Sequence, residues 1–222
     1  MKSMMITVAI ALIAIPMATL ALDEEKPKIE SLNIYPLDTC AVAKKKKLGS
    51  MGDPVVFEVE GREIRLCCIG CKKKIVNDPA KYFATIDERI IAQQKPNYPL
   101  TTCLVAGEKL DSDAVDVVVN HRLIRTCCKN CARKVKSFPG PYLERLDLAI
   151  VEKQAEKYPL TICAVSGEPL DKKSFDIIVG NQLVRLCCKG CKRGLKKDPV
   201  APLAAVSEGW KAGKKEEKKS SP

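Results

Sequence analysis

Mostly apolar residues, many of them β-branched, occur in three short stretches of the chain, and each stretch is followed by a turn-forming pair. The stretches are residues 55–59, 115–119 and 175–179, and the pairs are Glu60-Gly61, Asn120-His121 and Gly180-Asn181. Glycine and asparagine tolerate the positive φ angles that two-residue hairpin turns require, and β-branched residues flank all three pairs. The pattern therefore predicts three β-hairpins, each with a returning strand that leads into a group of cysteines.

The hydrophobic spacing becomes helical after each group of cysteines. Residues 72–76 predict a short helix, and Asp78-Pro79 supplies an N-cap and a first-turn proline for a second helix over about 80–94. An equivalent helix is predicted over 142–157, whereas Pro202 limits the last one to 203–211. Apolar stripes on the two long helices indicate packing surfaces, and they consist of Tyr82, Phe83, Ile86, Ile90 and Ile91 and of Leu143, Leu146, Ile150 and Val151.

Every one of the twelve cysteines belongs to a unit that occurs three times. Each unit has one isolated cysteine and a cluster of three, and corresponding cluster positions are sixty residues apart. The sets are Cys40 with Cys67, Cys68 and Cys71, Cys103 with Cys127, Cys128 and Cys131, and Cys163 with Cys187, Cys188 and Cys191. Gly167 follows Cys163 by four residues, which predicts a tight turn around the thiol. The repeat predicts an α+β fold of three tandem modules, at residues 34–96, 97–157 and 158–211.

Modules of this size need a source of stability besides apolar burial. A domain of about 60 residues buries only about 60% of the surface of its unfolded chain. Aromatic residues, which would fill a core most efficiently, make up 5% of this sequence. Small domains of this kind usually gain stability from disulfides or a bound metal, and the cysteines could supply either.

The N-terminus has the layout of an export signal. Lys2 is followed by an apolar run over 6–15 and by small residues around Ala21, which predicts a signal peptide over 1–21. Charged residues without periodicity predict a linker over 22–33, and the Lys-, Glu- and Ser-rich residues 212–222 predict a disordered tail. We therefore expect a periplasmic or secreted protein that has no transmembrane segment once the signal is removed.

The chain is basic, with a formal net charge of +11 and its densest lysine runs at residues 44–47 and 72–74. Neither run is interleaved with the aromatic side chains on which single-stranded nucleic acids stack. We interpret the runs as solvated surface, and we do not expect nucleic acid as a partner.

Three or four thiols of each unit can converge on one point. Residues three and four positions apart share a helix face, so Cys187 and Cys188 can both approach Cys191, while Cys163 arrives across the hairpin. Four thiolates in a tetrahedron suit Zn²⁺, whereas three in a plane suit Cu⁺. All twelve cysteines are therefore candidate metal ligands, and we expect one Zn²⁺ or Cu⁺ ion per module.

Three other uses of the cysteines remain as alternatives, and the first is a structural Zn²⁺ that holds each module of an interaction protein together. Exported, cysteine-rich modules are also typical of disulfide scaffolds, although adjacent cysteines and i,i+4 pairs fit disulfide geometry poorly. The Cys-x-x-Cys spacing of Cys68 and Cys71 occurs in thiol-disulfide oxidoreductases, but their alternating βαβ frame is not predicted here. We interpret His121, the sole histidine, as a turn residue. Since the sequence has no hydrolytic or phosphate-binding pattern, we do not expect an enzyme.

Four segments of the third unit form a recognisable pattern, and they are Tyr158-Pro159-Leu160, Cys163-Ala164-Val165-Ser166-Gly167, Leu186-Cys187-Cys188-Lys189-Gly190-Cys191 and Asp198-Pro199. In these segments the unit resembles the TRASH and YHS group of small cysteine-rich modules. The resemblance implies treble-clef-like modules that bind, sense or traffic heavy metals, with a metal-efflux or envelope protein as partner. The expected function is therefore metal buffering, resistance or delivery in the cell envelope.

The same resemblance implies a three-cysteine ligand set in each module. The implied sets are Cys163, Cys187 and Cys191, then Cys103, Cys127 and Cys131, and finally Cys40, Cys67 and Cys71. Cys68, Cys128 and Cys188 are then either fourth ligands or spares. Lysines 44–47 replace the Ser-Gly turn in the first unit, and the tyrosine-histidine-serine signature is not reproduced, so the resemblance does not identify the metal.

Overall fold

A hairpin followed by helices occurs three times in residues 29–220, the part of the chain that the computed structural model describes. The predicted signal peptide at residues 1–21 lies outside the described residues. The strands are β1 (Glu30–Leu32), β2 (Val55–Val59), β3 (Arg62–Leu66), β4 (Val115–Val119), β5 (Arg122–Thr126), β6 (Phe175–Val179) and β7 (Gln182–Leu186). The α-helices are α1 (Lys72–Asn77), α2 (Pro79–Gln94), α3 (Lys129–Ser137), α4 (Gly140–Gln154), α5 (Lys189–Lys197) and α6 (Val200–Ser220), and two 3₁₀ turns span Ile69–Cys71 and Lys95–Asn97. The predicted mixture of small sheets and helices is confirmed.

All three predicted hairpins are present, because the turn residues accept the backbone angles that the turns require. β2 pairs with β3, β4 with β5, and β6 with β7, each antiparallel. In the second turn Asn120 and His121 have φ angles of 50° and 59°, so both central residues are left-handed. In the third turn Gly180 carries the positive φ, of 60°.

The start of the described chain differs from the linker predicted over residues 22–33. Glu30–Leu32 form strand β1, which pairs parallel to β6 and turns the third hairpin into a three-stranded sheet. Leu32 and Ile34 are 5% and 6% exposed and pack into the core of the third module. Burial of these two side chains outweighs the local charge pattern, which had suggested a solvated segment.

The last helix is longer than the segment predicted over 203–211. It begins at Val200 and ends at Ser220, so residues 212–220 are helical where a disordered tail was predicted. Pro202 is the third residue of this helix, where the backbone N–H would have no intrahelical partner and its absence costs little. Lysine and glutamate also favour helix over most other residues, which allows the helix to continue.

The cores of the modules are not separate. Ile178 and Leu183 of the third hairpin pack in the same apolar cluster as Ile124 and Ile150 of the second module. Leu203 and Val206 on the first turns of α6 are buried, and Leu203 packs into the core of the third module. Within residues 29–220, no helix is long and apolar enough to cross a membrane.

A glutamine at a helix end joins each of the first two modules to the next one. At the end of α2 the Gln94 side chain donates to the carbonyl of His121 (3.0 Å) and accepts from the N–H of Leu123 (2.8 Å). Gln154, at the end of α4, repeats this arrangement with the carbonyl of Asn181 (3.1 Å) and the N–H of Leu183 (2.9 Å). Each amide therefore satisfies backbone groups of the following hairpin, which fixes the angle between consecutive modules.

Candidate metal centres

The isolated cysteine of each module lies in a turn that surrounds its sulfur with backbone N–H groups. The N–H of Cys163 donates to the carbonyl of Glu168 (2.7 Å), and its own carbonyl accepts from Gly167 (2.9 Å). Gly167 has a φ of +76°, a conformation that favours glycine. The tight turn predicted around this thiol is confirmed, and the turn that begins at Cys103 has the same hydrogen bonds.

The three clustered cysteines lie at the junction between the returning strand and the following helix. Cys187 comes directly after β7, Cys188 is the N-cap of α5, and Cys191 lies in the first turn of that helix. The sulfur of Cys191 is 3.6 Å from that of Cys187 and 3.7 Å from that of Cys188. In the second module the sulfurs of Cys127 and Cys131 are also 3.7 Å apart.

Three sulfurs converge in every module, as the spacing and the resemblance both predict. All sulfurs of a group lie within 4.8 Å of one another, and the groups are Cys40, Cys67 and Cys71 (site 1), Cys103, Cys127 and Cys131 (site 2), and Cys163, Cys187 and Cys191 (site 3). Thiolates held about 2.3 Å from a tetrahedral metal lie about 3.8 Å apart, so these spacings fit a metal ion. Each group could therefore hold one ion.

The fourth cysteine of each module lies beside this group rather than in it. Cys68, Cys128 and Cys188 are the N-caps of the segments that carry the clusters. Cys128 and Cys188 are exposed, while Cys68 is half-buried. Because Cys188 still approaches Cys191 to within 3.7 Å, it is placed to add a fourth sulfur from the solvent side.

Backbone hydrogen bonds favour the thiolate form of the isolated cysteines. Burial acts to raise the pKa of Cys163, but hydrogen bonds from the Ser166 side chain and from the backbone N–H groups of Cys187, Ser166 and Val165 outweigh it and bring the pKa to about 6. Burial also acts to raise the pKa of Cys103, but the equivalent N–H groups outweigh it and lower the pKa. These positions are therefore prepared to bind a cation.

The cysteines on the helices divide into two electrostatic classes. The N–H groups at the helix start lower the pKa of Cys128 and Cys188, with the N–H of Cys131 and that of Cys191 contributing most. Burial, followed by the neighbouring thiols, raises the pKa of the inner cysteines to about 12, and these are Cys71, Cys131 and Cys191. A metal that binds here must therefore displace the proton of the inner cysteine.

The structure places His121 away from all three sites, which agrees with its interpretation as a turn residue. Its side chain is 1% exposed, its Nδ1 lies 3.0 Å from Asn33, and its Nε2 accepts from Arg62 Nε (3.3 Å). Burial and then the charge of Arg62 lower its pKa to about 3, so the ring is neutral. Sequence reasoning missed this burial, because the residues that cover the ring come from other modules.

All twelve cysteines are free thiols in the described residues. Comparison of the chain with protein-family models, with curated proteins and with solved structures finds no match. The assignment of the sites therefore rests on the residues of this chain, and the likeness of the modules to TRASH, YHS and treble-clef folds stays a prediction.

Proposed function

We propose that the protein is an exported, non-enzymatic carrier of soft metal ions that binds one Zn²⁺ or Cu⁺ ion in each of its three modules. The observation that carries the proposal is the convergence of three sulfurs in all three modules at spacings that suit metal coordination. A repeated convergence of this kind supports a shared chemical role, since packing alone does not require three sulfurs to meet three times.

The choice between soft and hard metals follows from the donor set. Each candidate group consists of cysteines alone, and thiolates prefer Cu⁺ and Zn²⁺ over Mg²⁺ or Ca²⁺. Three converging sulfurs suit trigonal Cu⁺, and the addition of Cys68, Cys128 or Cys188 would complete a tetrahedral Zn²⁺ site. The metal that binds is therefore set by whether the fourth cysteine joins.

The cellular role that we propose is metal buffering, resistance or delivery in the cell envelope. Delivery requires that a ligand from outside can reach the ion, and the exposure of Cys128 and Cys188 supports this for sites 2 and 3. The signal-like N-terminus supports export to the periplasm or the exterior, and the sequence resemblance to TRASH and YHS modules supports a role in heavy-metal handling.

The number of metal ions bound per chain tests the proposal. The reduced protein is dialysed anaerobically against Zn²⁺ or Cu⁺ and the bound metal is measured, and we expect three ions per chain. Cys131→Ser should lower the number to two, while His121→Asn serves as the control and should keep three. A chain that binds neither metal, or that keeps three ions after Cys131→Ser, would contradict the proposal.

The role of the fourth cysteine is tested in the same experiment. Cys188→Ser should weaken Zn²⁺ binding at site 3 and leave Cu⁺ binding unchanged, because only the tetrahedral site uses that sulfur. Removal of the metal by a chelator then separates delivery from a structural role, since a structural site unfolds when it is stripped. We expect sites 2 and 3 to lose the metal while the far-UV circular dichroism spectrum is retained.

A further inference from the structure

One arginine of the repeat makes a different contact in the first module from the contact it makes in the other two. Arg125 and Arg185 each stand opposite an aspartate on the neighbouring strand, Asp116 and Asp176. The Nε of Arg125 lies 2.9 Å from Asp116, and that of Arg185 lies 2.7 Å from Asp176. In the second and third modules the arginine therefore closes an ion pair across its own hairpin.

The corresponding partner of Arg65 in the first module is Val56, which offers no charge. Arg65 turns away from this valine and is 2% exposed. Its Nη1 donates to the carbonyl of Lys197 (2.9 Å) and its Nη2 to the carbonyl of Lys196 (2.6 Å). Both carbonyls belong to the last turn of α5, so a side chain of the first module binds a helix end of the third.

This contact is a strong one by its chemistry. The last carbonyls of a helix have no intrahelical donor and carry the negative end of the helix dipole, which attracts a cation. Arg65 satisfies two of them with a planar, permanently charged group in a buried position. Glu63, which accepts from Arg65 Nε (2.9 Å), holds the guanidinium in this direction.

Both ends of the contact lead directly to candidate metal ligands. On one side Arg65 precedes Cys67 by two residues, and its carbonyl accepts from the N–H of Ala41, the residue after Cys40. On the other side α5 begins with Cys188 as its N-cap and carries Cys191 in its first turn. Only the nine residues of α5 and the end of one strand separate site 1 from site 3 along this route.

We propose that Arg65 is a positioning residue that couples metal binding at site 1 to metal binding at site 3, an inference that rests on the proposed function. An ion at site 3 fixes the first turn of α5, and the cooperativity of helix formation extends this order to the carbonyls that Arg65 binds. Arg65 in turn holds the strand that presents Cys67. Because coupling between two sites is reciprocal, each ion favours the other. Site 2 is filled independently, since Arg125 is directed to Asp116 of its own hairpin, whereas Arg65 bonds a helix end of another module.

The loading pattern of a two-site chain tests this coupling. Cys127→Ser and Cys131→Ser together remove site 2 and leave sites 1 and 3 in an otherwise full-length protein. This parent is titrated anaerobically with Cd²⁺ alone, a redox-inert probe for thiolates, and native mass spectrometry gives the fractions with zero, one and two ions. We expect the doubly loaded fraction to exceed that of independent sites, with an affinity coupling of about fivefold or more.

Two further variants of this parent separate coupling from simple stability. Val56→Asp gives Arg65 the partner that Arg125 and Arg185 have, and because Val56 is 46% exposed the change should not disturb the fold. It should make the two sites independent, whereas Arg125→Gln, the matched control, should leave the coupling unchanged.

The outcomes distinguish the coupling from the metal binding itself. The coupling would be overturned if the two ions load independently in the parent. It would also be overturned if the doubly loaded fraction of the Val56→Asp variant still exceeds that of independent sites. Either result leaves the proposed function standing. A parent that binds no Cd²⁺ would overturn both.

Discussion

Site 1 and site 3 are built from the same repeat, yet they differ in how far they are enclosed. Cys67, which directly follows β3, is 3% exposed, whereas its counterpart Cys187 is half-buried. The N-cap residues follow the same order, since Cys68 is half-buried and Cys188 is exposed. The first module therefore buries all three converging sulfurs, while the third leaves Cys187 half-buried and Cys188 exposed.

The difference comes from the segments on either side of the sulfurs. In the third module a short turn closed by Gly167 follows the isolated cysteine, whereas in the first module the N–H of Cys40 reaches the carbonyl of Lys46 across a longer loop. The helix of the first module also begins with the 3₁₀ turn Ile69–Cys71, where α5 is helical from its start. A longer loop and a tighter helix start thus accompany the more enclosed site.

The same ligand set could therefore serve two uses within one chain. The sulfurs of site 1 are part of an apolar cluster with Ile64, Ile86 and Ile90, so an ion there would stabilise the core. Cys163 and Cys191 of site 3 also lie in an apolar cluster, but Cys187 is half-buried and Cys188 is exposed, so an ion there could be exchanged.

Loss of one ligand should destabilise the first module more than the third. Cys67→Ser and Cys187→Ser both remove stabilisation by the metal, which is about 4 kcal/mol when free metal is 1,000-fold above Kd. Cys67→Ser additionally buries a hydroxyl group in an apolar position, at a further cost of about 1–3 kcal/mol. Chemical denaturation in the presence of metal measures both, and equal losses would show that the enclosure of site 1 has no energetic consequence.

The turn histidine of the second module should make the free energy of unfolding decrease in acid. The equivalent residue of the third module shows which substitution removes this pH dependence. Since the folded-state pKa of His121 is lowered to about 3, below the ordinary value of 6.5, the unfolded chain binds the proton first. The stabilisation is complete above pH 6.5 and is lost as the pH falls towards 3.

His121→Asn, which copies Asn181, should remove this part of the pH dependence, a difference on the order of 2–4 kcal/mol between pH 6.5 and 3. Urea unfolding of the two proteins across that range measures the difference. If the unfolding free energies of the variant and the parent depend on pH in the same way, the ring is not buried in its neutral form.

The two glutamine contacts between modules should differ in strength. Gln94 is 7% exposed and Gln154 is half-buried, so Gln94→Ala leaves the backbone groups of the next hairpin without partners in a drier environment. We expect losses of about 1–3 kcal/mol in unfolding free energy, with Gln94→Ala the larger. A larger loss for Gln154→Ala would mean that the second junction, not the first, holds the modules together.

Local signals in the sequence predicted the hairpins and the sulfur groups well. Turn pairs such as Asn120-His121 specify their own backbone angles, and the spacing of Cys187, Cys188 and Cys191 places them around one helix start. In both cases the residues that determine the structure are close together along the chain.

Contacts between modules could not be predicted in this way. The pairing of β1 with β6 and the contact of Arg65 with α5 join residues more than 100 positions apart, and no local pattern marks either of them. One signal was nevertheless present, since Val56 replaces the aspartate found at 116 and 176 and leaves one arginine of the repeat without its usual partner.

The smallest expected difference concerns the accessibility of the N-cap thiols. In the metal-free, reduced protein, Cys128 and Cys188 should be alkylated faster than Cys68, because they are exposed and it is half-buried. Peptide mapping after brief treatment with iodoacetamide gives the three rates. Faster labelling of Cys68 would show that the first module is the more open one in solution.

The mass of the purified protein decides whether the three groups of thiolates each hold a metal ion. The protein is isolated without chelators and measured by native mass spectrometry, then denatured and alkylated. We expect three bound ions in the native spectrum and twelve alkylated cysteines after denaturation. A metal-free native mass, lowered by about 2 Da for each disulfide and with cysteines that resist alkylation, would contradict metal binding and indicate a disulfide scaffold.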